Sequence, residues 1–89
     1  MRVMIPSALR SYTGAGEVAA EGATLGAVLA DLDRQFPGLR FRVIDEQDRI
    51  RRHIRFFIDG EQSFDLGQAL GPDAEIYIVQ ALSGGDSSV

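Results

Sequence analysis

Few side chains in this chain can do covalent chemistry. Its 89 residues include no cysteine, which removes the thiol nucleophile, the disulfide framework and the zinc-thiolate site together. All nine basic residues are arginine. With no lysine amine, no isopeptide chain can be built on this protein through lysine. His53 is the only histidine, and no neighbour is evident that would orient it as a general base, so a structural or solvent-exposed place is expected. Asp45, Glu46 and Asp48 lack the ligand count and ordered glycine of a calcium loop, so no metal site is expected. The glycines at 14, 16, 22 and 26 form no GxGxxG element, and a phosphate loop would need a lysine. Arg49, Arg51, Arg52 and Arg55 make a basic cluster, either a solvated face or a docking point for an acidic patch. What remains is Gly84-Gly85. Two residues without Cβ can thread a narrow channel and leave a carbonyl open to attack from either side. Taken alone, such a pair is as readily a linker.

The pair has to be presented by the elements before it. Val3 and Ile5 alternate with Arg2 and Met4, the pattern of an opening strand, with Pro6 at its end or edge. Thr13-Gly14-Ala15-Gly16 predicts a turn into a short second strand over Glu17 to Ala20. From Thr24, a suitable N-cap, the residues Leu25, Val28, Leu29, Leu32 and Phe36 recur at helical spacing, and Pro37-Gly38 ends the helix. Leu39 to Ile44 is apolar at every other residue before the polar Asp45-Glu46-Gln47-Asp48 turn. Ile54, Phe56 and Ile58 alternate with Arg55 and Phe57 and run into Asp59-Gly60, a strand entering a tight turn. A short strand near Ser63-Phe64, a helical turn over Leu66 to Leu70 and a bend at Gly71-Pro72-Asp73 precede the last strand. There Ile76 and Ile78 alternate with Tyr77 and Val79.

An amphipathic helix and a mixed sheet of four or five strands can bury one shared core, the helix lying across one face. By the period of two, Phe57, Tyr77 and Val79 then point to the opposite face, a candidate partner surface or a site of self-association. Nothing after Leu82 is apolar enough to pin the chain down, so residues 83–89 are expected to form a flexible tail behind a domain of residues 1–82. The net charge of −4 and a pI near 4.7 argue against nucleic-acid binding, which needs a basic footprint. No apolar run approaches a signal peptide or a membrane span, which points to the cytoplasm.

The order strand, strand, helix, strand, strand, followed at once by Gly-Gly, resembles the MoaD/ThiS family of ubiquitin-like sulfur carriers. The likeness is carried by Val3-Met4-Ile5-Pro6, by Thr24-Leu25 through Phe36-Pro37-Gly38-Leu39, and by Ile54 to Gly60. Above all it is carried by Ala74-Glu75-Ile76-Tyr77-Ile78-Val79 leading to Ala81-Leu82-Ser83-Gly84-Gly85. It implies an α+β, β-grasp fold and a protein cosubstrate, not an enzyme. In that family an activating enzyme adenylates the terminal glycine carboxylate with ATP, and a sulfur donor or sulfurtransferase converts it to a thiocarboxylate for a downstream synthase. Activation is chemically necessary, because a terminal carboxyl of pKa about 3.5 is an anion at neutral pH and a poor electrophile. Gly85 would carry the adenylate and the sulfur, with Gly84 and Ser83 threading the partner's channel. Phe57, Tyr77, Val79, Leu82 and Arg52 would contact that partner.

The family usually stops at the second glycine, whereas here Asp86-Ser87-Ser88-Val89 follows. Cleavage between Gly85 and Asp86, by a protease such as a zinc-dependent JAMM-type enzyme, is therefore expected. No cofactor is expected on this chain, ATP and zinc belonging to the partner enzymes. The end use implied is cysteine, a thio-metabolite, molybdopterin or thiamin. The alternative is a ubiquitin-like modifier joined through Gly85 to target lysines.

Overall fold

The protein is described from a computed structural model over residues 1–81. Five strands form one mixed sheet in the order β2-β1-β5-β3-β4. Strand β1 (Arg2–Met4) pairs antiparallel with β2 (Glu17–Ala19) and parallel with β5 (Glu75–Gln80). On its other side β5 pairs antiparallel with β3 (Ile54–Ile58), which in turn pairs with β4 (Glu61–Ser63). The strand that leads to the diglycine is thus held between two neighbours in the middle of the sheet.

Between β1 and β2 the chain makes a 3-10 turn over Ser7–Leu9 that runs into a one-turn helix, α1 (Arg10–Thr13). The main helix, α2 (Leu25–Gln35), starts where expected, the Thr24 hydroxyl accepting from the Ala27 amide at 3.1 Å. That bond meets one of the amide donors that a helix start leaves unpaired. At the other end, Phe36 leaves the helical region before Pro37, at φ −131° and ψ 83°, and Gly38 takes φ +95°. Both follow from proline's steric demand on its predecessor and glycine's freedom in the left-handed region. Leu25, Val28, Leu29 and Leu32 are buried against Val3, Phe56, Ile58, Ile76 and Ile78 of the sheet, so one core serves both layers.

Two local expectations change, and the alternating stretch Leu39 to Ile44 takes the form of a short helix, α3 (Leu39–Val43), in which Leu39 and Val43 are one turn apart and buried together. An alternation of apolar residues over so short a stretch also contains the i, i+4 spacing of a helix. The helical turn expected over Leu66 to Leu70 is absent. The Asp65 carboxylate accepts from the Gly67 amide at 2.8 Å, and Ala69 bridges Thr24. The Leu66 and Gln68 carbonyls instead accept from Gly26 and Leu25 at 2.7 and 3.1 Å, meeting two more unpaired donors of α2. The short strand placed near Ser63-Phe64 begins at Glu61 and ends at Ser63, leaving Phe64 outside the sheet and 78% exposed.

Candidate functional site

The sheet surface facing away from α2 is built by strand registry alone. Met4 stands opposite Glu17 and Tyr77, and Phe57 opposite Tyr77 and Gln62, so Glu17, Met4, Tyr77, Phe57 and Gln62 form one row across all five strands. Val79 faces Arg55 in the next row towards the end of β5. Tyr77 and Val79 are 41% and 40% exposed, while Met4 and Phe57 are half-buried. Side chains directly across a sheet lie close enough to touch, so these four make a continuous apolar strip. Charge bounds it at one end, where Arg2 pairs with Glu17 at 3.2 Å and Glu75 at 3.3 Å. Arg55 bounds it at the other. Phe57, Tyr77 and Val79 are the residues expected on this face; Met4 joins them, and its signal in the sequence is its position between the core residues Val3 and Ile5.

Beyond Gln80, the Ala81 amide donates to the His53 carbonyl at 2.8 Å. This carries the pairing of β5 with β3 one residue further and fixes the direction in which the chain leaves the sheet. His53 itself is exposed and contributes this carbonyl rather than its imidazole. A small groove of about 280 Å³ lies at that exit, with Leu9, Phe41, Arg51 and Gln80 in its walls. Arg51 is held in place there: its guanidinium carbon sits 4.6 Å from the centre of the Phe41 ring, and its Nε donates to the Phe41 carbonyl at 2.7 Å. Arg52 stands exposed in the turn before β3 and not on the apolar strip. Leu82, Ser83, Gly84, Gly85 and Asp86, with the whole expected tail of residues 83–89, lie outside the described residues.

The acidic turn between α3 and β3 has a structural use. The Asp45 carboxylate accepts from the Gln47 and Arg49 amides at 2.8 and 3.0 Å. These bonds, that from Arg49 first, hold its carboxyl below the usual carboxylate range. Asp31 is lowered in the same direction, by the Arg34 guanidinium first and then by the Glu21 amide, and so ties α2 to the segment after β2. Among the described residues, no group of three or more histidine, cysteine, aspartate or glutamate side chains is placed to hold a metal ion. No described helix is long and apolar enough to cross a membrane.

The family model described as the ThiS family matches residues 3–85. The sulfur carrier protein CysO of Mycobacterium tuberculosis is 33% identical over 89 aligned residues, covering 93% of this chain and 96% of that protein. A crystal structure of Mycobacterium tuberculosis CysO superposes with a TM-score of 0.85 at 31% identity, over 91% of this chain and 98% of that one. A chain of the crystal structure of the Amycolatopsis orientalis BexX/CysO complex gives 0.85 at 27%, over 91% and 94%. SAMP1 of Haloferax volcanii gives 0.78 at 28%, over 96% and 98%. The expected β-grasp architecture, a mixed sheet with the main helix across one face, is shared with these structures.

Proposed function

The chain belongs to the ThiS family, and from that membership we propose that it is a sulfur carrier whose Gly85 bears the activated group. The observation that carries the proposal is the extent of the family match, which starts at Val3 in β1 and runs to Gly85, the second glycine of the pair. The fold supports it by ending in a central strand, so that whatever follows Ala81 is presented from the most firmly held part of the sheet.

The chemistry proceeds in stages, each demanded by the one after it. Hydrolysis of the Gly85–Asp86 peptide bond releases residues 86–89 and gives Gly85 a free carboxylate. An activating enzyme joins that carboxylate to the α-phosphate of ATP, and pyrophosphate leaves. Sulfide, from a sulfurtransferase or another donor, adds to the acyl carbon. AMP then departs with the electron pair of the broken C–O bond, leaving a thiocarboxylate as the sulfur source for a downstream synthase. This chain supplies the acyl group, the approach and the docking face: Met4, Phe57, Tyr77 and Val79 would be covered by the activating enzyme. A neighbour supporting such a partner comes from the BexX/CysO complex. ATP and the protease's zinc reside on the partners.

Protein cleaved after Gly85, incubated with its activating enzyme, ATP and a sulfide donor, is expected to gain the mass of sulfur for oxygen at its last residue. The modifier reading is favoured by the likeness to SAMP1, a small archaeal modifier protein. It predicts instead Gly-Gly remnants on lysines of other proteins after trypsin digestion. If Gly85→Ala changed neither outcome, the diglycine would have no part in the function.

A further inference from the structure

A second depression of the described surface is larger than the groove at the exit of β5. It is a groove of about 630 Å³ between the loop that precedes β3 and the segment that follows β4. Arg49, Arg51, Arg52 and Arg55 line it from the loop and β3, and Phe64 and Leu66, with Asp65 between them, line it from the segment after β4. The molecule as a whole carries a net charge of −4, so four arginines on one groove are a strong local reversal. None of the four lies within 4.0 Å of a carboxylate among the described residues. Arg52 donates to no acceptor there, and Arg55 is turned back onto the Arg52 and Ile54 carbonyls at 2.7 and 3.1 Å, holding its guanidinium at the groove. Two acidic residues stand on the rim, and both are engaged: Asp48 accepts from Arg40 at 3.1 Å, and Asp65 from the Gly67 amide.

Phe64 is 78% exposed, more than any other large apolar side chain among the described residues. Burial of such a ring is worth about 2 to 3 kcal/mol, and the fold leaves most of that unrealised. The groove has the volume of several side chains and sets arginines beside apolar surface.

We propose that this groove binds an acidic segment of a partner protein, one that sets Asp or Glu side chains against Arg49, Arg52 and Arg55 and a large apolar side chain against Phe64. Charge complementarity selects the occupant. Guanidinium forks pair with carboxylates in two-point geometry, the adjoining Phe64 and Leu66 ask for an apolar side chain, and the net charge of −4 disfavours a nucleic-acid backbone. The loop that carries Arg49, Arg51 and Arg52 continues into His53, whose carbonyl accepts from the Ala81 amide, so one loop borders both the groove and the point where the chain leaves the sheet. A protein gripping it would be positioned to work on the diglycine. That last assignment rests on the proposed function; the chemistry of the groove does not.

The test uses the full 89-residue chain, isotopically labelled for amide NMR, and a synthetic peptide of about eight residues in which Glu and Asp flank one Phe. Shifts confined to Arg49–Arg55 and Phe64–Leu66 are expected. Affinity should fall roughly tenfold between about 50 and 300 mM salt, as exposed charges are screened. The double variant Arg49→Glu/Arg52→Glu should weaken binding by more than about tenfold, by placing like charges opposite the peptide. Phe64→Ser should weaken it severalfold with the salt dependence unchanged, and the spectrum of each variant reports its fold. Equal binding of an arginine-substituted control peptide, shifts centred on Tyr77 and Val79, or no binding at millimolar peptide would overturn the proposal. So would binding seen only after removal of residues 82–89, which would make the chain's own tail the occupant. Thiocarboxylate formation is measured separately, so failure of the groove and failure of the sulfur-carrier reading give different results.

Discussion

Single residues decide how closely the parts of this molecule approach one another. A Cβ added at Gly22 would lie 2.6 Å from the Val28 amide nitrogen and 2.8 Å from the Ala27 carbonyl carbon, both backbone atoms of α2. Neither can swing aside as a side-chain end would. Gly22→Ala is therefore expected to lower stability by about 1 to 3 kcal/mol, the usual cost of overpacking, as read from urea unfolding. Asp45 and Asp31 act at the same scale but through charge. Each has a folded-state pKa below the ordinary 3.8, so each contributes stability that is complete above that value and is lost as pH falls through the folded-state pKa. An Asp45→Asn variant has no such charge to lose. Its deficit relative to the parent protein should be present at neutral pH and should shrink in thermal melts taken progressively below about pH 4. A deficit independent of pH would mean that the Gln47 and Arg49 amides do not need the carboxylate charge.

At the scale of elements, what could be read from the sequence depended on how strongly a pattern excluded its alternatives. The helix from Thr24 was legible because five apolar residues kept helical spacing between a capping hydroxyl and Pro37-Gly38. The turn from β3 to β4 was legible for a different reason. Asp59 and Gly60 take φ +51° and +89°, and this pair of residue types tolerates two successive left-handed conformations in a two-residue hairpin. Less could be read where structure depends on distant partners. Leu66 to Leu70 has helical composition, but its carbonyls are drawn to the start of α2, some forty residues earlier in the chain. The one-turn helix over Arg10–Thr13 was not foreseen, since so short a stretch has too few residues to show a period. Of the candidate site, the period of two in β3 and β5 showed which side chains share the open face. The alternation of Met4 with the buried Val3 and Ile5 gives its face, but its place beside Tyr77 comes from the parallel pairing of β1 with β5, which no local pattern announces. The two faces should respond differently to substitution. Phe56 is fully buried, so Phe56→Ala should cost about 3 to 5 kcal/mol. Tyr77→Ser, one strand away on the open face, should cost less than about 1 kcal/mol in stability. Its effect should fall on the activating enzyme, raising the carrier concentration needed for half-maximal ATP–pyrophosphate exchange by about tenfold.

For the whole molecule, the account divides labour between a stable body and a chain that leaves it. The shared core of α2 and the sheet holds β5 in place; the open strip is the proposed seat of a partner; Ala81 fixes the point of departure. The lack of lysine and cysteine fits the proposed role at this scale too: no side-chain amine or thiol of the chain would compete for an acyl group activated at Gly85. The central claim is that Gly85, freed of residues 86–89, carries sulfur. Intact-mass spectrometry of the protein recovered from its native cells tests this most directly. The account predicts a species ending at Gly85, part of it heavier by the exchange of one oxygen for sulfur and returning to the plain carboxylate form on hydrolysis. Recovery of the uncleaved 89-residue chain alone, or of a Gly85 terminus that never gains sulfur while the cells are supplied with it, would contradict the account.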